Sequence, residues 1–314
     1  MSAWMGISRR GVLACAVSSA PLLFALLSGG VASAERGHRA AAAVHPAPPI
    51  AAQPAPIAAP QRVYMGWGVL SIPTYFQPTS GKYDLILHFH GGAQLQEENL
   101  EKTRINAVVV SVNLGISSGP YSDFFSAPHA LDSALERTQK ELDATGRAPG
   151  AHLGRLALTA WSAGFGAVGS ILSDHQNLPR IDAVLLADGL HAAYLGYPGN
   201  YKIYSASLEK YATFANAAMR GEKLFAITHS SIPTDGYAST TETVGELLRV
   251  TACTRTPHHT QGPDGMREIY QFDRGSFHVK GFEGTTKEDH IDHIKEMHET
   301  LFPYLQARWG RPAI

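Results

Sequence analysis

From about residue 62 to residue 314 the chain alternates short apolar runs with amphipathic stretches, and this alternation restricts the fold more than any other feature. The runs 84-DLILHFH-90, 105-INAVVVSV-112, 154-GRLALTA-160, 181-IDAVLLA-187 and 223-KLFAITH-229 are mostly Val, Ile, Leu and Ala. A strand with one wet face alternates apolar and polar residues, whereas a strand that is apolar throughout needs cover on both faces, as parallel strands have. Further strand candidates are 63-VYMGWGVLSI-72, 267-REIYQF-272 and 276-SFHVKGF-282. Between the runs, 130-ALDSALERTQKELDATG-146 puts Leu131, Ala134, Leu135 and Leu142 on one helical face and stops at Gly146. Ser239 and Glu242 fit a capping box that opens another helix. A last helix is expected across 290–309, kinked or ended near Pro303. Strands alternating with helices over about 250 residues predict one doubly wound α/β domain with a mostly parallel sheet.

Such a sheet carries its chemistry on the loops after the carboxyl ends of its strands. Three of those loops carry residues that could serve one chemistry. In Ala160-Trp161-Ser162-Ala163-Gly164 a strand turns sharply into a helix, and small residues two before and two after the serine let backbones approach closely. That turn lifts the serine oxygen above the sheet. The pattern is G-x-S-x-G with alanine for the first glycine; a bare serine in a helix cap is its structural alternative. Directly after the strand 84–90 comes His90-Gly91-Gly92. Attack on an ester or amide carbonyl creates an oxyanion that needs preorganised N–H donors, which a glycine loop can turn inwards. The backbone N–H of Ala163 would complete the hole with Gly91 and Gly92. The order of strand, His-Gly-Gly and then Ala-x-Ser-x-Gly about 70 residues later is far more specific than either motif alone.

In 88-HFHGGA-93 and 160-AWSAG-164 the chain resembles the α/β-hydrolase family, over roughly Val63 to Trp309. The resemblance implies the α/β-hydrolase fold, and an acid and a histidine later in the chain, in the order Ser, Asp or Glu, His. Asp188 ends the strand 181–187, and Asp235 lies in the following strand's loop; the strand-end carboxylate is held more rigidly, which favours Asp188. Each is also an Asp-Gly pair of the kind found in ordinary turns. Three histidines fall between the last strand and the final helix. His290 opens the last amphipathic stretch and is preferred as general base, ahead of His278 and His293. Should Thr285 and Glu288 form a capping box, His290 would lie inside a helix and His278 would gain.

Other chemistries fit less well. His290, His293 and His298, with Asp289 and Asp292, could be read as zinc ligands, but no His-Glu-x-x-His is present. The expected chemistry requires no metal and no cofactor. With 26 basic and 27 acidic residues the net charge is −1, so no global field draws the chain to nucleic acid or to an anionic membrane. The expected partner is a small-molecule ester or amide, and the sequence sets no oligomeric state. Residues 191-HAAYLGYPGNYKIYSAS-207, with four tyrosines, could cap the pocket and stack on a sugar or aromatic ester, or be plain surface loop.

The first 34 residues read as an export signal: Arg9 and Arg10, the apolar run 11–27, and the small-x-small site 32-ASA-34. Ser8-Arg9-Arg10-Gly11-Val12-Leu13 resembles the twin-arginine motif, which implies a periplasmic or secreted protein. An Ala/Pro tether over 35–61 would then precede a catalytic domain over 62–314. Removal of the signal leaves one cysteine, Cys253, and no intramolecular disulfide. The leading expectation is an exported serine esterase with Ser162, Asp188 and His290 as its triad. An amidase or peptidase with the same triad, or a non-catalytic binding protein of this fold, are the alternatives.

Overall fold

The computed structural model describes residues 60–310. The signal-like segment 1–34, and the Ala/Pro tract apart from Pro60 and Gln61, lie outside them. The described chain opens with a hairpin, β1 (Gln61–Tyr64) and β2 (Gly68–Ile72), and then lays down β3 (Lys82–Phe89), β4 (Val108–Val112), β5 (His152–Trp161) and β6 (Ala183–Ala187). β7 (Tyr194–Leu195) and β8 (Lys202–Ile203) pair apart from the rest. β9 (Leu224–His229), β10 (Thr256–Gln261), β11 (Arg267–Arg274) and β12 (Phe277–Phe282) complete the main sheet. Its order is β1-β2-β4-β3-β5-β6-β9-β12-β11-β10. The six strands from β4 to β12 in that order are parallel, and antiparallel pairs close both edges.

The apolar runs explain this centre. Every residue of β4, β6 and β9 is buried, and alternate side chains enter opposite cores. Leu85, Leu87, Phe89, Val108, Val110, Val184 and Leu186 face one way, and Ile86, Val109, Ala183 and Leu185 the other. On the second of these faces lies α1 (Ala93–Thr103), contributing Leu100. The first face is covered by α2 (Ser118–Ser126), α3 (Ala130–Ala144), α4 (Phe165–Ser173), α5 (Glu209–Met219) and α6 (Thr240–Val250). The chain then returns to the face of α1 with α7 (Lys287–Lys295), α8 (Met297–Thr300) and α9 (Phe302–Trp309), which bury Ile294, Met297, Phe302 and Leu305. β3 therefore leads to a helix on one face and its neighbour β5 to a helix on the other. The crevice between their carboxyl ends is where a doubly wound sheet places a ligand.

The sequence reading holds for α3 and for the Ser239/Glu242 capping box of α6. It fails in three places. The run 63–72 is two strands, because Gly66 at φ 87° turns the chain and Met65 N–H donates to the Gly68 carbonyl. The expected helix over 290–309 begins earlier, at Lys287, and is three helices; its breaks fall at Glu296 and Leu301, ahead of Pro303, which sits in the first turn of α9. β10, with the sequence TPHHTQ, is an exposed edge strand that has no apolar pattern to announce it.

The last helix is pinned to the sheet by polar contacts. Asp182, just before β6, accepts from Arg308 through both carboxylate oxygens (2.8 and 2.9 Å) and from Trp309 Nε1–H (2.7 Å). Burial alone would raise the Asp182 pKa, but Arg308 and Trp309 hold it below the ordinary carboxylate range. Asp182→Ala should lower the unfolding free energy by about 2 kcal/mol, because charge-assisted bonds are lost and the indole N–H is orphaned. A urea midpoint unchanged from wild type would show that these contacts add nothing.

Candidate active site

β5 ends at Trp161, and the chain passes through a single tight turn, Ser162–Gly164, into α4. Ser162 stands in the left-handed region at φ 48°. A serine holds that conformation only where its surroundings leave no alternative. Two glycines supply the room. A Cβ on Gly164 would sit 2.1 Å from the Phe89 carbonyl oxygen at the end of β3, and one on Gly189 would sit 2.5 Å from the Ser162 nitrogen. Ala160, in place of the usual glycine, is still in β5 with its methyl in the core, so the departure costs the turn nothing.

The loop after β3 is also left-handed, with His90 at φ 72° and Gly91 at φ 101°. A Cβ on Gly91 would lie 2.4 Å from Ile294 Cδ1, which would have to shift, and the positive φ itself favours glycine. Gly92 caps α1. Among the described residues, the N–H groups of Gly91 and Gly92 donate to no protein acceptor. His88 braces the loop from below. Its Nε2–H donates to the His90 carbonyl (2.7 Å), which can only accept, so its Nδ1 accepts from the Thr159 hydroxyl (2.8 Å). From the side, Tyr121 Oη contacts His90 Nδ1 (2.9 Å) and accepts from Leu114 N–H (3.1 Å).

Asp188 follows β6 at φ 41° and is 1% exposed. Its Oδ1 accepts from Ser230 N–H (2.9 Å) and the Thr240 hydroxyl (2.8 Å), and its Oδ2 accepts from His290 Nδ1–H (2.7 Å). Burial by itself would raise its pKa. The imidazoles of His293 and His290 and the Ser230 N–H outweigh burial and hold the carboxyl well below its usual range. The pair joins residues 102 positions apart. His290 lies in the first turn and a half of α7, whose capping box is Thr286 with Asp289 rather than Thr285 with Glu288. Lying inside a helix therefore does not remove His290 from the carboxylate, contrary to the expectation that His278 would then gain. No hydrogen bond joins Ser162 Oγ to an imidazole among the described residues, a contact that often tightens only when substrate arrives.

The other candidates do not reach this pair. Asp235 is exposed and makes no side-chain hydrogen bond or ion pair among the described residues. His278, near the start of β12, donates to Asp273 (2.6 Å) and stacks on Tyr304 at 4.0 Å. His293 is buried, bonded through Nδ1 to the Thr228 hydroxyl (2.9 Å). His298 turns to Asn99. The histidines of the zinc reading thus point to three different partners. The one set of three potential metal ligands among the described residues is Glu296, His298 and Glu299, which includes neither His290 nor His293. The tyrosine segment forms the β7–β8 hairpin, with Tyr194 stacked on Tyr201 at 4.8 Å and its hydroxyl on Glu242. Closer to Asp188, His191 packs edge-on against Phe165 (5.5 Å) and Tyr237 (5.1 Å). The sequence reading passed over His88, His191 and the Trp161 side chain; a histidine in an otherwise apolar buried strand was the available signal for the first.

Burial lowers the pKa of His88 to about 3 and of His293 to about 4, and lowers those of His90, His191 and His229 as well. A histidine whose folded pKa lies below its unfolded value near 6.5 binds its proton more readily when unfolded. Stability should therefore be complete above about pH 6.5 and fall as pH drops towards 4, by up to roughly 1.4 kcal/mol per pH unit for each histidine still neutral. Urea midpoints at pH 7.5, 6 and 5 measure this; a flat profile would contradict the buried, neutral state of these rings.

No family model matches the chain, and no curated protein matches it. Among solved structures it is similar to an uncharacterised protein from Capnocytophaga ochracea, with 10% identity over 80% of this chain and 63% of that one, at a TM-score of 0.44. It is also similar to an esterase from the hyperthermophilic archaeon Pyrobaculum calidifontis (11% identity; 77% and 80% covered; TM-score 0.38). The enterobactin esterase of Shigella flexneri is a third (11% identity; 82% and 61% covered; TM-score 0.45). The chain spans less than two thirds of the length of the first and the third. At such identities a likeness concerns architecture alone, and the architecture here follows from the chain's own strand order and crossovers: it has the α/β-hydrolase fold.

Proposed function

We propose that the protein is an exported serine hydrolase that cleaves a carboxylic ester. The observation that carries this reading is the 2.7 Å bond between buried Asp188, just after β6, and His290, at the start of α7. Asp188 accepts from Nδ1, which leaves Nε2 of His290 with the lone pair a general base needs. The export part rests on the sequence of residues 1–34 alone.

In this reading Nε2 of His290 takes the Ser162 hydroxyl proton as Oγ attacks the ester carbonyl carbon. The carbonyl π pair moves to oxygen, and that oxyanion accepts from the N–H groups of Gly91, Gly92 and Ala163. Asp188, kept ionised, balances the imidazolium. The tetrahedral species collapses with its C–O bond broken, and His290 returns the proton to the departing alkoxide. Water, deprotonated by His290 in turn, hydrolyses the acyl-serine and restores the enzyme. The steps consume no cofactor.

The full-length protein should be labelled by a fluorophosphonate probe, and labelling should vanish in Ser162→Ala. Unlabelled wild type with a normal circular dichroism spectrum would end the serine-hydrolase reading. Asp188→Asn should retain the fold while kcat for p-nitrophenyl butyrate falls by about 10³- to 10⁴-fold, since the amide holds the imidazole in the wrong tautomer. A loss of less than tenfold would remove Asp188 from the triad.

A further inference from the structure

The residue before the serine touches both halves of the site. Trp161 Nε1–H donates to the backbone carbonyl of His290 (2.9 Å), across 129 positions of sequence. Its indole lies against the His290 ring, with centroids 4.7 Å apart and planes 31° apart. It is also stacked with the His90 ring at 5.1 Å and 14°. A Cβ on Gly91 would come within 3.5 Å of Trp161 Cε3, so the indole also lies along the left-handed loop itself. One half-buried side chain thus contacts the helix that carries the base and the loop whose N–H groups are free.

Resting on the hydrolase reading, we propose that Trp161 is the positioning residue that fixes His290 and the His90–Gly92 loop relative to each other. Three features support it. The indole N–H holds the main chain of His290 and not only its ring, so it restrains the first part of α7, whose Ile294 carbonyl accepts from Asn99 of α1. The His90 contact is a near-parallel stack and the His290 contact a tilted one; such ring contacts resist sliding less than separation, and the N–H supplies the missing restraint along the ring. Trp161 is anchored by β5, paired to β6 at Ala187, so its backbone is tied to the residue just before Asp188. The charged and titratable groups around His290 are Asp188, His90, His191 and His293; none of them contacts its backbone carbonyl, so none replaces the indole in that role.

Two variants of the full-length protein separate the restraints. Trp161→Phe keeps an aromatic face and removes the N–H; Trp161→Leu removes both. The first readout is the low-field proton resonance of His290 Nδ1–H, identified by its loss in His290→Gln, and its exchange rate with solvent. Exchange should speed by about five- to tenfold in Trp161→Phe, the effect of losing one hydrogen bond, and further in Trp161→Leu. The second is steady-state hydrolysis of p-nitrophenyl butyrate, where kcat should fall by about 10²-fold in Trp161→Leu, with KM within about threefold of wild type, as misplacement of catalytic groups predicts. Exchange and kcat both unchanged in folded Trp161→Phe would overturn the proposal, and so would a rise in KM with kcat intact. If wild type turns over no ester, the hydrolase reading falls, and the exchange rate alone still decides whether Trp161 restrains His290.

Discussion

The site depends on one close approach. The end of β3 and the turn after β5 come so near that the Phe89 carbonyl occupies the space where a Cβ of residue 164 would be. Interiors are dense enough that such a contact cannot be relieved by small shifts. Glycine at 164 is what lets the elbow drop against its neighbouring strand, and that drop brings Ser162 beside the loop with free N–H groups. Gly189 repeats the device on the other side, against the Ser162 backbone itself. The strand-end loops of β3, β5 and β6 therefore meet with almost no side chain between their main chains. Each carries a non-glycine residue at positive φ: His90, Ser162 and Asp188. Left-handed backbone of this kind costs of order 1–3 kcal/mol per residue, and the dense two-faced core around the sheet is what sustains it.

Electrostatics follow from the same packing. Asp188 is buried and ionised, which would be prohibitive if its oxygens were unpaired. They are not: a backbone N–H, a threonine hydroxyl and an imidazole N–H divide the two oxygens among them. The surrounding histidines His88, His191, His229 and His293 are kept towards the neutral form by burial, so they offer hydrogen bonds without competing charge. His290 alone of this group donates directly to the carboxylate. Imidazoles held towards the neutral form by burial thus line the site around one ionised carboxylate.

How far this was legible in the sequence depends on which contacts are local. β4, β6 and β9 announce themselves because strands buried on both faces have no room for polar alternation, and Ser162 could be singled out because its turn is written within five residues. β10 could not be found, since an exposed edge strand needs no apolar pattern. The capping box of α7 could not be fixed from spacing, because Thr285/Glu288 and Thr286/Asp289 both satisfy it. Gly284, at φ 118°, decides between them. A Cβ there would lie 2.7 Å from the Asp289 Cβ, so the glycine leaves Asp289 room to fold back to Thr286. The contacts of Trp161 and His88 were out of reach, because they join loops and elements that only the folded sheet brings together.

The two faces of the sheet divide the work. α4 begins at the elbow and packs into the larger core with α2 and α5, while the base sits on α7, in the smaller core with α1, α8 and α9. Ser162 and His290 thus belong to different packing layers, separated by the sheet, and they can meet only over its carboxyl edge. Few side chains cross that edge. Asp188 crosses from the end of β6, and Trp161 crosses from the end of β5, bonding the ring and the main chain of His290 respectively. A disturbance confined to the smaller core would reach the base without touching the serine. The geometry between them is therefore set less by either core than by the two residues that reach from the sheet to α7.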